Sequence, residues 1–135
     1  MTTNNGSSST SGQPLVRVLI ADDQRLFGEL LEAELSRDPR IEVVGHARDG
    51  RAAVELASQL HPDVTLMDIS MPLLDGVEAT REIRRTLPEA CILMLTGSDS
   101  PADVDRARQA GAAGYVTKDR IASELIESIF EIASR

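Results

Sequence analysis

The sequence predicts an α/β fold in which one parallel five-stranded sheet is covered by helices on both faces. Two observations carry that prediction. Short aliphatic runs alternate along the chain with stretches that repeat apolar residues every three or four positions. The runs are apolar throughout, rather than alternating with polar residues, as strands buried on both faces must be. At 135 residues the chain has room for one domain and one modest core.

The strands are predicted at Val16–Ala21, Ile41–Ala47, Asp63–Met67, Ile92–Thr96 and Ala113–Val116. Leu26, Leu30, Leu31, Ala33 and Leu35 mark a first helix, and Ala52, Ala53, Leu56, Ala57 and Leu60 a second. Val77, Ala79, Thr80 and Ile83 mark a third. A weaker fourth carries Val104, Ala107, Arg108 and Ala110, with Pro101 placed for its first turn. The last is a continuous stripe of Ile121, Leu125, Ile126, Ile129, Ile132 and Ala133. Five strands each followed by a helix form a three-layer (βα)5 sandwich, and right-handed crossovers leave few topologies. The flavodoxin-like order 2-1-3-4-5 sets the first and third strands side by side at the switch point, where a crevice opens beyond their carboxyl ends.

Composition narrows the function. The apolar share is 41%, but two Phe, one Tyr and no Trp leave an aliphatic core. A formal charge of −8 argues against gripping nucleic acid or anionic lipid by electrostatics alone. A single cysteine, Cys91, excludes an internal disulfide and fits a reducing compartment, and its apolar run predicts a buried, inert thiol. Residues 1–14 hold no apolar side chain beyond Met1 and are expected to form a disordered polar tail, with the folded domain at 15–135. No stretch is long enough to span a bilayer, so a soluble, cytoplasmic protein without membrane partners is expected.

The chemistry gathers at one sheet edge. Asp22-Asp23 ends the first strand and Asp68 the third, so adjacent strands bring three carboxylates together. Such crowding is costly unless a cation joins it. Mg²⁺ accepts carboxylates, a carbonyl and waters. Asp23 and Asp68 are candidate direct ligands, Asp22 a ligand through water, and the Ser70 carbonyl completes the protein's share. As a bland alternative, Asp22 or Asp23 would merely cap the first helix, which leaves Asp68 unexplained. Asp68, alone at its strand end, is the candidate nucleophile for a phosphoryl group. Lys118, past the fifth strand, can supply a cation. Thr96, ending the fourth, can supply a hydroxyl, with Gly97 leaving an open N–H beside it. Pro72 and Asp75-Gly76 shape the loop after Asp68, and Met71 is expected to plug it.

Asp22-Asp23, the Asp68-x-x-Met-Pro-x-x-Asp-Gly76 pattern, Thr96-Gly97 and Lys118, in that order and at those intervals, resemble the receiver domain of bacterial two-component response regulators. The resemblance covers residues 16–134. It implies phosphorylation of Asp68 by a sensor histidine kinase, with Mg²⁺ at Asp22 and Asp23, Lys118 on the phosphoryl group, and Thr96 with Tyr115 as the switch. From surface chemistry, kinase contact is expected near Gln24, Arg25 and Gly28, and exposed parts of the last or the fourth helix are candidates for a homodimer face. Ser70 and Ser98 flank the phosphoryl site in this reading and are expected to leave water a path.

The wording from Val43 to Gly50 and from Ala110 to Asp119 is similar to the NarL/FixJ branch, whose members usually carry a helix-turn-helix DNA-binding domain after the receiver. Nothing up to Arg135 reads as that domain. The chain is therefore expected to be either an excised receiver of a transcription regulator or a single-domain receiver. Many receivers place Pro after the lysine. Asp119 stands there instead, so the bond is either trans or strained, and Asp119 is a candidate cap for the last helix.

Other readings are weaker. A phosphohydrolase with an aspartate nucleophile would need an acid two residues past Asp68, where Ser70 stands. A flavin mononucleotide carrier would meet repulsion from Asp22-Asp23. A turnover enzyme is not expected. His46 and His61 read as ordinary surface or half-buried residues.

Overall fold

A computed structural model describes residues 15–97 and 100–134. In chain order the elements are β1 (Val16–Ala21), α1 (Arg25–Leu35), β2 (Ile41–Ala47), α2 (Gly50–Leu60), β3 (Val64–Asp68), α3 (Gly76–Thr86), β4 (Ile92–Thr96), α4 (Pro101–Ala110), β5 (Gly114–Thr117) and α5 (Ile121–Ala133). A single 3-10 turn, Lys118–Arg120, joins the last two. The strands are all parallel in the order β2-β1-β3-β4-β5, as the sequence predicted.

Successive side chains of a strand point to opposite faces, and that divides the core in two. Leu19, Ala21, Met67, Ile92 and Met94 pack with Ala53, Ala57, Val77, Ala79, Ile83 and Ala107 from α2, α3 and α4. Val18, Ile20, Val64, Leu66, Leu93 and Leu95 pack with Leu31 and Leu35 of α1 and with Leu125, Ile129 and Ile132 of α5. The sheet is thus wrapped on both sides, and only the ends of its strands are open to chemistry.

Some boundaries and faces differ from the sequence reading. β3 begins one residue later, because Asp63 sits outside the strand and its Oδ2 accepts the Arg17 N–H at 2.8 Å. Asp68 is therefore the last strand residue, paired in register with Leu95. β5 is also displaced by one, with Ala113 bonded to Ile92 just ahead of it. On α1 the leucines split between faces. Leu31 and Leu35 are buried, whereas Leu26 and Leu30 are 76% and 66% exposed. Either set satisfies a helical period; only the packing of α1 on the sheet selects one.

Caps follow side-chain chemistry. Asp49, Asp75 and Ser100 each accept a backbone N–H three residues on, starting α2, α3 and α4, and Pro101 lies at the first turn of α4. His61 ends α2 in the left-handed region at φ 48° and is exposed. His46 Nε2 lies 2.7 Å from Glu32 Oε1, linking β2 to α1. Cys91 is half-buried just before β4 instead of fully buried.

Gly76 lies in close backbone contact with the end of β3. A Cβ there would stand 2.1 Å from the Asp68 carbonyl oxygen. The Gly76 N–H also bonds the Ile69 carbonyl at 3.0 Å, closing the loop that follows Asp68. Gly76→Ala must therefore push apart backbone that cannot yield. It is expected to lower the unfolding free energy by about 1–3 kcal/mol, read from the urea midpoint.

Candidate functional site

Three strand ends and two loops build the site. Asp22 follows β1 and is held by its own backbone, whose N–H donates to the Ala47 carbonyl at 2.9 Å. Its Oδ1 accepts the Gln24 N–H at 2.7 Å. The cap position of α1 belongs to Gln24, which makes no side-chain cap bond. Asp22 thus serves the local turn with one oxygen, and its other, Oδ2, is buried without a hydrogen-bond partner among the described residues. The bland reading of Asp22 accounts for half of the carboxylate.

Asp22, Asp23 and Asp68 each present an oxygen within 4.8 Å of the others. Asp22 and Asp68 are both only 3% exposed, while Asp23 faces solvent. Burial pushes the Asp68 carboxyl above its ordinary pKa. Lys118, and after it the Ser70 N–H, oppose that rise; Asp23 adds to it. Asp22 is likewise raised, first by burial and further by Asp68 and Asp23, against the Gln24 N–H and Lys118. Three carboxylates face one ammonium: Lys118 Nζ lies 3.3 Å from Asp68 Oδ1. The Ser70 N–H reaches the same oxygen at 3.4 Å.

Thr96 ends β4, fully buried, in register with Thr117 of β5. Tyr115 lies on β5 with 39% of its surface exposed. It borders a cavity of about 270 Å³ shared with Val104, Ala107 and Gly114. Met71 is buried in the core beneath the loop, the plug that the sequence suggested. The loop turns at Leu73 (φ 68°), whose side chain is exposed. Every candidate residue except Ser98 and the polar tail lies among the described residues, and Asp22, Asp23, Asp68, Ser70 and Lys118 share one crevice.

Two expectations about the Lys118 segment are resolved. The Lys118–Asp119 bond is trans, since the described residues contain no cis peptide. Asp119 lies inside the 3-10 turn, and α5 is preceded by Arg120 without a side-chain cap, so Asp119 does not cap that helix. One neighbour escaped the sequence reading altogether. The Phe27 ring of α1 lies under the Lys118 ammonium, 4.6 Å from Nζ to ring centroid. No spacing signals a pair drawn from the first helix and the last turn.

Residues 18–130 match the response regulator receiver domain. This chain belongs to that family. As a receiver it is not a turnover enzyme. It is 40% identical over 118 residues to the transcriptional regulatory protein DegU of Brevibacillus brevis, covering 87% of this chain and 50% of that protein. It is 46% identical over 108 residues to a protein-glutamate methylesterase/protein-glutamine glutaminase of Nocardioides sp., covering 78% of this chain and 29% of that one. Among solved structures, the signal receiver domain of the response regulator NarL from Mycobacterium tuberculosis superposes with a TM-score of 0.86. The two are 37% identical, and the match spans 90% of this chain and 98% of that one. The chain spans about half the length or less of these curated relatives. The receiver assignment is therefore firm, while the matches do not single out one branch. Among the described residues, no helix is long and apolar enough to cross a membrane.

The raised Asp22 carboxyl has a consequence for stability. A carboxyl that binds its proton more readily folded than unfolded loses stability as pH rises through its folded pKa. The cost is therefore present above the folded pKa and relieved as pH falls through it. Asp22→Asn, measured in chelator at pH 7, is expected to raise the thermal midpoint by about 3–6 °C. The gain should shrink on acidification into the carboxylate range.

Proposed function

We propose that the chain is a phosphorylation-dependent switch of the cytoplasm in which Asp68 accepts a phosphoryl group from the phosphohistidine of a sensor histidine kinase. The observation that carries this reading is a buried carboxylate at the end of β3 with an ammonium 3.3 Å away and two further carboxylates around it. An Asp68 oxygen attacks phosphorus in line, and the imidazole departs with the electron pair of the bond that breaks. Lys118 meets the oxygens of the group that arrives, and the hydroxyl of Thr96 follows it. Tyr115, half out of the sheet edge beside its cavity, is the partner that turns in behind Thr96.

The donor set fits a hard divalent cation, because its carboxylate oxygens lie close together and the buried Oδ2 of Asp22 has no hydrogen-bond partner among the described residues. Asp23, Asp68 and the Ser70 carbonyl would hold Mg²⁺ directly and Asp22 through water. When bound, Mg²⁺ neutralises the phosphoryl oxygens in transfer. The exposed Gln24, Arg25, Leu26 and Leu30 give the kinase a surface next to the crevice. Gly28 is buried on α1 and lines a small cavity with Gln24 and Arg25 beside that surface. Output as a transcription regulator accords with the naming of relatives such as DegU and would run through a further DNA-binding domain, while exposed parts of α4 or α5 would serve a homodimer.

Incubation with acetyl phosphate and Mg²⁺ is expected to add one phosphoryl mass, labile to base, seen by intact mass spectrometry. The addition should vanish in Asp68→Asn and without Mg²⁺. A wild-type chain that gains no mass would refute the reading. In a separate titration, Mg²⁺ at about 100 times its dissociation constant should stabilise the wild type by about 2.7 kcal/mol. Asp23→Asn should lose most of that, read as a flattened shift of the melting midpoint.

A further inference from the structure

We infer that Phe27 is a positioning residue for Lys118: its ring face fixes where the ammonium stands, and hence how it meets a phosphoryl group on Asp68. The inference rests on the reading of Asp68 as phosphoryl acceptor.

Lys118 enters the site from the 3-10 turn after β5, on a flexible four-carbon stem whose ordering is entropically costly. Its side chain is 30% exposed, so water competes for the ammonium. Attraction to the carboxylates draws it inward but does not choose a position. Asp22 and Asp68 both feel its charge, and their oxygens with those of Asp23 lie within 4.8 Å of one another. An ammonium above such a cluster has several nearly equal stations.

The Phe27 ring removes that degeneracy. It stands on α1, half-buried and packed against the core that α1 shares with α5. A ring anchored in this way has few conformations and offers one negative face. Nζ sits 4.6 Å from its centroid while also lying 3.3 Å from Asp68 Oδ1. The two contacts together narrow the places open to Nζ, and the ring covers the ammonium on its side. The ring neither titrates nor binds a hard metal. Its hold on Lys118 therefore persists when Asp68 changes from carboxylate to acyl phosphate. In the reaction with acetyl phosphate, an Asp68 oxygen bonds to phosphorus and acetate leaves with the electrons of the broken P–O bond. No proton moves, so Lys118 acts by its charge and place alone.

The rival role for Phe27 is plain core packing, and three variants separate the two. Phe27→Leu keeps apolar bulk without a π face, Phe27→Tyr keeps the face, and Phe27→Ala removes both. In the unphosphorylated wild type, the Lys118 Hε protons are expected upfield of free lysine through the ring current. Phe27→Leu should return them to ordinary positions, and Phe27→Tyr should keep them shifted. Phosphorylation of Asp68 by acetyl phosphate should slow about 5- to 20-fold in Phe27→Leu and Phe27→Ala, with Phe27→Tyr near wild type. Unshifted Hε protons in the wild type would overturn the inference. So would a wild-type rate in Phe27→Leu, or equal slowing in Phe27→Leu and Phe27→Tyr. Should the wild type take no phosphoryl group, the fault lies with the Asp68 reading, and the proton shifts still decide whether Phe27 holds Lys118.

Discussion

Like charges held in a buried crevice set the terms for this molecule. Asp22 and Asp68 are almost wholly removed from water, and with Asp23 they crowd oxygens within 4.8 Å of one another. Left alone, that arrangement opposes folding, because carboxylates in a poorly hydrated site repel and lose their solvation. It persists because two aliphatic cores, one on each face of the sheet, bury most of the strand side chains and hold the strand ends in register. The site is a strained edge on a well-packed body.

The compensation is incomplete by design of the geometry. Among the described residues, the Lys118 ammonium, the Gln24 N–H and the Ser70 N–H serve the two buried carboxylates, and an Asp22 oxygen has no hydrogen-bond partner. A site short of positive charge is receptive to a cation. A nucleophile kept near an ammonium is receptive to a phosphoryl group. Both properties come from the same shortage. The loop beneath is correspondingly stiff: Met71 is buried, Asp75 caps α3, and Gly76 lies so close to Asp68 that no side chain fits. Asp68 has little freedom to move away from its neighbours.

The far side of the sheet has the opposite character. Thr96 is buried at the end of β4, whereas Tyr115 on the edge strand is 39% exposed beside a cavity. An edge strand is bonded on one side only, so a rearrangement there breaks few contacts. Relatives with this receiver carry different outputs, a transcription regulator in one case and a methylesterase in another. In the proposed reading, that division suits a domain with its chemistry at one sheet edge and its readout on a separate surface.

Much of this was legible in the chain. Apolar runs buried on both faces announce a parallel sheet, and parallel strands must bring their ends to one edge, so Asp22, Asp23, Asp68 and Lys118 could be assembled from spacing alone. The Asp75-Gly76 turn and Pro101 were equally readable, since caps and proline act within a few residues. Tertiary structure decided the rest. Leu26 and Leu30 satisfy the helical period as well as Leu31 and Leu35 do, and only docking on the sheet exposes the first pair. The strand boundaries at Asp63 and Ala113 depended on which partner took each backbone group. The Phe27 ring beneath Lys118 joins residues from opposite ends of the chain. Sequence determines what repeats locally and what topology forces together; contacts that depend on how a helix rotates against the sheet are settled only by packing.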